Sequence, residues 1–152
     1  MSLIIATGSN LENKLKNLET AKKILSLHYE LIKGSDIFES VAVDYFDQPD
    51  FFNQLLEFKV PNEDPQHVIK KILEIEHTIG RVRNIDKGPR VIDIDIIFWG
   101  LRKINSSTLT VPHPEWHKRS FVVRPLQQLP FFKTIQKYFI IPDTFKVETK
   151  PI

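Results

Sequence analysis

The sequence predicts an α+β fold, and three observations carry that prediction. Short apolar runs with strand character flank two segments of helical spacing. The two helical segments are themselves separated by strand-like stretches, so the order reads β-α-β-β-α-β. The length of 152 residues suits a single domain spanning 1–152, large enough to bury about 68–70% of its unfolded surface without staples.

Leu3-Ile4-Ile5-Ala6 is an apolar run of the buried-strand kind. It ends at Thr7-Gly8-Ser9-Asn10, a turn cluster that offers a helix cap. From about Asn13 to Leu27, the residues Leu15, Leu18, Ala21, Ile24 and Leu25 recur at helical spacing. Tyr29 to Ser40 is strand-like, with Gly34 as a bulge or break, and Val41 to Asp50 reads as a loop. Phe52 to Val60 alternates and sets Leu56, Phe58 and Val60 on one face. Asp64 and Pro65 cap and open a second helix. Its apolar stripe is Val68, Ile72, Ile75 and Ile79, and Gly80 ends it. After a polar loop, Asn84 to Gly88, Val91 to Phe98 forms a further strand. Leu109 to Val111 adds a short one, Ser120 to Leu126 starts a short helix, and the tail from Pro130 onward carries no clear pattern. This order is the split-βαβ plan of ferredoxin-like sandwiches. Helices cover one sheet face and leave the other to hold a site.

The composition is that of a globular chain, 41% hydrophobic and 26% charged. The absence of cysteine excludes disulfides, thiol catalysis and cysteine-ligated metal, and fits a reducing, cytoplasmic setting. No apolar run reaches the ~18 residues of a membrane span, and no signal peptide is evident. A net charge of +2 is too small to suggest nucleic-acid binding by charge alone. The six arginines nevertheless all fall at or after Arg81. Arginine is the better fork for phosphate oxygens, so an anionic ligand is expected in the second half.

GPRVIDIDIIFWG, residues 88–100, places two carboxylates in an apolar strand. Asp93 and Asp95 share one face, with their Cβ-bearing carbons roughly 6–7 Å apart. Unpaired, they repel each other and resist desolvation. Salt bridges to nearby arginines are one resolution. Mg²⁺ is the other, since magnesium takes one or two carboxylates plus substrate phosphates. Arg81, Arg83 and Arg90 nearby fit phosphate handling. Neither glycine-rich phosphate motif occurs, so side chains and metal must hold any nucleotide. In VPHPEWHKRSF, residues 111–121, His113 and His117 have a zinc-compatible spacing. The bracketing prolines oppose helix there and leave phosphate contacts by a histidine and Arg119, or a surface turn, as alternatives. In DQPDFFNQLLEF, residues 47–58, Phe51 and Asn53 share a face, which suits either core packing or a flat heterocycle with polar edges. Phe121 is a natural second plate.

Together, DQPDFFN, E-x-x-x-GRVR from Glu76, GPRVIDIDI, VPHP-x-x-x-x-RSFVVRPL and the opening ATGSNL closely resemble the 6-hydroxymethyl-7,8-dihydropterin pyrophosphokinase family of folate synthesis, from about Leu3 to Leu129. The resemblance implies a ferredoxin-like enzyme that transfers the pyrophosphoryl group of ATP to the pterin hydroxymethyl oxygen and releases AMP. It implies two Mg²⁺ ions on Asp93 and Asp95, and ATP held by Glu76, Arg83, Lys87, His113 and Arg119. Arg81 and Arg90 would assist catalysis. Pterin would lie between Phe51 and Phe121, with Asn53 at its edge and Ser40 and Val43 adding contacts. It also implies a monomer with no nucleic-acid or membrane partner. The sequence departs from the family in two loops: Val41-Ala42-Val43-Asp44-Tyr45 replaces a Pro-rich stretch, and Ile85-Asp86-Lys87 lacks an Arg-Trp pair. Lys87 there is a point charge without a fork. Two further readings stand beside the enzyme: a binding-only relative, favoured by the altered loops, and an RNA-binding sheet with stacking aromatics. The aspartates oppose the last by repelling a phosphate backbone.

Overall fold

The structure is a computed structural model that describes residues 1–42, 47–81 and 89–152. The expectations at Val43, Arg83 and Lys87, and those for residues 44–45 and 85–86, lie outside the described residues.

The first strand, β1 (Ser2–Ser9), is longer than the apolar run alone suggests. Thr7, Gly8 and Ser9 are strand, not turn, because partners satisfy them: Gly8 sits opposite Asn53 on one side and Asp93 on the other. Helix α1 (Lys14–His28) follows, capped by Asn13, whose side chain accepts from the Lys16 N–H. Leu18, Ala21 and Leu25 are its buried stripe. Leu15, placed on that stripe by spacing, is exposed in the first turn. The strand-like stretch breaks at Gly34, one of the two roles expected of that glycine, into β2 (Leu31–Gly34) and β3 (Phe38–Ser40). The long strand β4 (Phe51–Lys59) leads to α2 (Pro65–Ile79). That helix has the expected Asp64 cap, and Gly80 ends it at φ 115°, a left-handed conformation suited to glycine.

Strand β5 (Asp93–Trp99) closes the four-part plan. A small hairpin, β6 (Ile104–Asn105) with β7 (Thr110–Val111), then leads to a 3-10 turn at Trp116–Lys118. Helices α3 (Ser120–Leu126) and α4 (Phe132–Tyr138) and the edge strand β8 (Lys150–Pro151) complete the chain. Among the described residues the main sheet is antiparallel in the order β5-β1-β4-β3-β8, with β2 also paired to β4. Strand β5 beside β1, β1 beside β4, and β2 and β3 beyond β4 make the ferredoxin-like arrangement that the element order predicts.

Two cores sandwich this sheet. Helices α1 and α2 bury Leu3, Ile5, Leu56, Phe58, Ile92, Ile94 and Ile96 on one face. On the other face Ile4, Leu55, Ile97 and Phe98 are equally apolar and need cover. Trp116, α3, α4 and the residues between them supply it. The face expected to stay free is therefore largely closed by the C-terminal elements, and only its end at Asp93 and Asp95 opens into a cavity. Ile97 and Phe98 both face this second core because the β1–β5 register slips between Ile4 and Ile5, as a bulge does. Buried Glu57 also ties the layers together. Its carboxylate accepts from Ser2 Oγ at 2.8 Å and from the Phe131 N–H, at the start of α4, at 3.0 Å. With both faces covered, the aromatics cannot form the open stacking platform that the RNA reading requires.

Candidate active site

The site grows out of strand alternation. Ala6 and Gly8 of β1, Phe51 and Asn53 of β4, and Asp93, Asp95 and Ile97 of β5 all face one cavity of about 330 Å³. Gly8 leaves room at its centre: a Cβ there would crowd Asn53 Oδ1 at 3.2 Å and touch the Phe51 ring at 3.5 Å. Ser40, Arg81, Arg90, His113, Arg119 and Phe121 complete the walls. Every expected site residue among the described ones therefore lines this cavity except Glu76, which lines the next.

The second cavity, about 360 Å³, opens at the free edge of β5. It shares Arg81, Asp93, Asp95 and His113 with the first. Its remaining wall is mostly apolar, from Ile72 and Leu73 of α2, Ile96 of β5, and Leu109 beside Thr110. Two adjoining chambers thus meet at the aspartate pair.

The electrostatics at that junction are uneven. Arg81 Nη1 donates to Asp93 Oδ1 at 2.7 Å and to Glu76 Oε2 at 2.9 Å, and Arg90 Nη1 lies 3.4 Å from Asp93 Oδ2. Burial would weaken the charge on Arg81, but Asp93 and Glu76 outweigh it and hold its pKa above the ordinary arginine value. Among the described residues no hydrogen-bond partner reaches the buried Arg81 Nε. Glu76 itself is buried and also accepts the Ile94 N–H at 2.8 Å, pinning α2 to β5. The arginine contacts of the described residues fall on Asp93, so Asp95 carries the surplus negative charge. Burial, then the Asp93 and Glu76 carboxylates, push its pKa up to about 7, against the pull of Arg119 and Arg81.

Of the two resolutions anticipated for the aspartate pair, the arginine salt bridges are present on Asp93. The donor set fits magnesium only in part. Among the described residues no group of three or more His, Asp or Glu side chains is arranged to hold a metal. Two carboxylates whose remaining partners are phosphate oxygens are nevertheless a normal Mg²⁺ environment. Zinc on His113 and His117 finds no support: among the described residues no third ligand joins them, and exposed His117 packs its ring beside Trp116. His113 Nδ1 accepts the Glu115 N–H at 3.1 Å, so the neutral ring carries its proton on Nε2. Burial, then Arg119, lowers its pKa and keeps it neutral.

On the other side of the cavity, Asn53 turns its amide nitrogen inward, donating to Ser40 Oγ at 2.8 Å. The Phe51 ring lies 5.0 Å from the Arg90 guanidinium, and Phe121 lies 5.5 Å from that of Arg119. Asn10 was missed by sequence reasoning, which took it as part of a turn. It is buried; its Oδ1 accepts the Arg90 N–H at 2.8 Å, and its Nδ2 donates to Gln48 Oε1 at 2.8 Å and to the Pro49 carbonyl at 3.1 Å. One amide thereby links the segments carrying Arg90 and Phe51. The signal was its place directly after a strand that ends at the site, which periodicity does not weigh. The apolar wall of the second cavity was also missed, because its residues look like ordinary core.

Comparison with known proteins agrees with this geometry. Residues 4–130 match the family model described as "7,8-dihydro-6-hydroxymethylpterin-pyrophosphokinase (HPPK)". The chain is 35% identical over 127 residues to a Bacillus subtilis protein named 2-amino-4-hydroxy-6-hydroxymethyldihydropteridine pyrophosphokinase, covering 82% of this chain and 75% of that one. It is 34% identical over 145 residues to the Haemophilus influenzae protein of the same name, covering 93% and 89%. A folic acid synthesis protein of Pneumocystis carinii is 39% identical over 126 residues, 82% of this chain; there the match spans only 17% of the longer protein. A crystal structure of a Plasmodium falciparum HPPK-DHPS triple mutant with pteroate shares the fold, with a TM-score of 0.60 at 14% identity, over 83% of this chain and 39% of that one. The chain belongs to the 7,8-dihydro-6-hydroxymethylpterin-pyrophosphokinase family.

Proposed function

We propose that the chain transfers the β,γ-pyrophosphoryl group of ATP to the hydroxymethyl oxygen of 6-hydroxymethyl-7,8-dihydropterin, forming the pterin diphosphate and AMP in folate synthesis. The observation that carries this reading is the pair of cavities meeting at Asp93 and Asp95. One has aromatic plates and an amide for a bicyclic heterocycle, and the other has an apolar slot for a nucleotide base.

Phe51 and Phe121 hold the pterin faces, and Asn53 offers its Oδ1 to the ring edge, supported by Ser40. The base of ATP lies in the slot walled by Ile72, Leu109 and Ile96. His113 donates from Nε2, and Arg119 neutralises phosphate charge. Arg81 and Arg90 sit on Asp93 and are within reach of the transferring group. The hydroxyl oxygen attacks the β-phosphorus in line. The bond from that phosphorus to the α-phosphate oxygen breaks, AMP departs, and the hydroxyl proton leaves to water. Such a displacement needs alignment and charge neutralisation more than covalent help. Asp93 and Asp95 would hold two Mg²⁺ ions, which would supply that neutralisation at the phosphates. The test is ATP turnover by the purified chain with and without the pterin, in Mg²⁺ and in EDTA. Turnover that requires both supports the reading. A folded protein that binds both ligands without turnover supports the binding-only alternative.

A further inference from the structure

The C-terminal segment lies outside the family match, which ends at residue 130, and it lines neither cavity that meets the aspartate pair. Its anchors nevertheless fall on two of the elements that carry pterin-side residues, α3 with Phe121 and β3 with Ser40. The first anchor is α3. Arg124 grips Glu148 with two nitrogens, Nε to Oε1 at 3.0 Å and Nη2 to Oε2 at 3.2 Å. The same Nη2 donates to the Asp143 carbonyl at 2.7 Å, and the guanidinium lies 5.0 Å from the Phe145 ring. Ser120 Oγ, next to Phe121, donates to the Val147 carbonyl at 2.8 Å. The second anchor is β3. Thr149 Oγ1 donates to the Glu39 carbonyl at 2.6 Å, the Ile152 N–H donates to the Ile37 carbonyl at 3.1 Å, and β8 pairs along β3.

Both anchored elements are short, and besides the strap they are held from one side, α3 by Val122, Val123 and Leu126 in the second core and β3 by its pairing with β4. Helix α3 has seven residues, an internal proline and no side-chain cap, and β3 has three residues. Isolated helices of that length are marginal in water. Yet α3 presents Phe121 and β3 presents Ser40, which fixes Asn53. We infer that segment 143–152, clamped by Arg124, is a strap that sets the spacing of these two walls, making Arg124 and Thr149 positioning residues for the pterin. The inference rests on the proposed pyrophosphokinase reading. Among the described residues the nucleotide slot, built from α2, β5 and the β6–β7 hairpin, is lined by no residue of the strap, so nucleotide binding is indifferent to it.

The test uses the full chain with Arg124→Ala and Thr149→Val, which loosen opposite ends of the strap, each confirmed folded by circular dichroism. Pterin KM and kcat are measured at saturating Mg²⁺ and ATP, and affinity for a non-hydrolysable ATP analogue separately. The strap predicts a rise of about fivefold in pterin KM in both variants, with nucleotide affinity and kcat within about twofold of wild type. Arg124→Lys recovers part of the loss. An unchanged pterin KM in both variants, or an equal loss of nucleotide affinity, overturns it. Wild type that fails to bind pterin at all contradicts the functional reading instead, so the two failures are distinct.

Discussion

Replacing Asp95 by Asn removes half of the proposed metal site and also one of three crowded carboxylates, so two effects of opposite sign are expected. Transfer falls by on the order of a thousandfold, since neutralisation of the phosphates is a large part of the barrier. The metal-free fold survives, because the amide carries no charge for burial and the neighbouring carboxylates to penalise, the two causes that raise this carboxyl from 3.8 to about 7. The same shift fixes a pH dependence. In EDTA the folded chain keeps the Asp95 proton between about pH 4 and pH 7, while the unfolded chain releases it. Stability from this group is therefore full below pH 4 and lost as pH rises through 7. Melting temperatures in EDTA from pH 5 to pH 8 should fall more for wild type than for Asp95→Asn; parallel curves contradict the assignment. His113 acts at the other end. Its lowered pKa means the unfolded state takes the proton first, so its contribution is lost as pH falls through 6.5. At this scale the sequence showed which side chains share a face, because alternation is a local property. It did not show that the arginines favour Asp93 over Asp95, which depends on where α2 ends relative to β5.

Helix α2 is the element whose local signals and tertiary role agree most fully. Asp64, Pro65 and Gly80 were all legible, since capping is written in adjacent residues. Asp64→Ala should cost about 1 kcal/mol of stability. Gly80→Ala meets no atom within 4 Å but retains φ 115°, so its cost, about 1–2 kcal/mol, is conformational. Denaturant unfolding separates these from Phe98→Ala, which empties a fully buried site and should cost about 3–5 kcal/mol. Elements with weak local signals were hard to read. Strand β8 and the two-residue β6 exist because β3 and β7 supply their hydrogen bonds, and α4 starts where Glu57, 74 positions earlier, accepts the Phe131 N–H. No window of neighbouring residues contains that information.

For the molecule as a whole, the βαββαβ plan followed from the order of apolar periods, whereas the closing of its second face did not. Ile4, Leu55, Ile97 and Phe98 signal a buried strand in either case; what covers them comes from a tail without periodicity. That cover leaves the two cavities joined at one end of the sheet, so ligands should act on global stability. A non-hydrolysable ATP analogue with Mg²⁺ at about a hundred times its Kd should add about 2.7 kcal/mol, raising Tm by roughly 5–10 °C, and EDTA should abolish the shift. The central claim is that the pterin oxygen reaches the β-phosphorus of ATP across the Asp93–Asp95 junction. Phosphorus NMR of the chain with Mg²⁺, ATP and 6-hydroxymethyl-7,8-dihydropterin tests it most directly. The account predicts AMP and a pterin diphosphate appearing in equal amounts; ADP with a pterin monophosphate would contradict it.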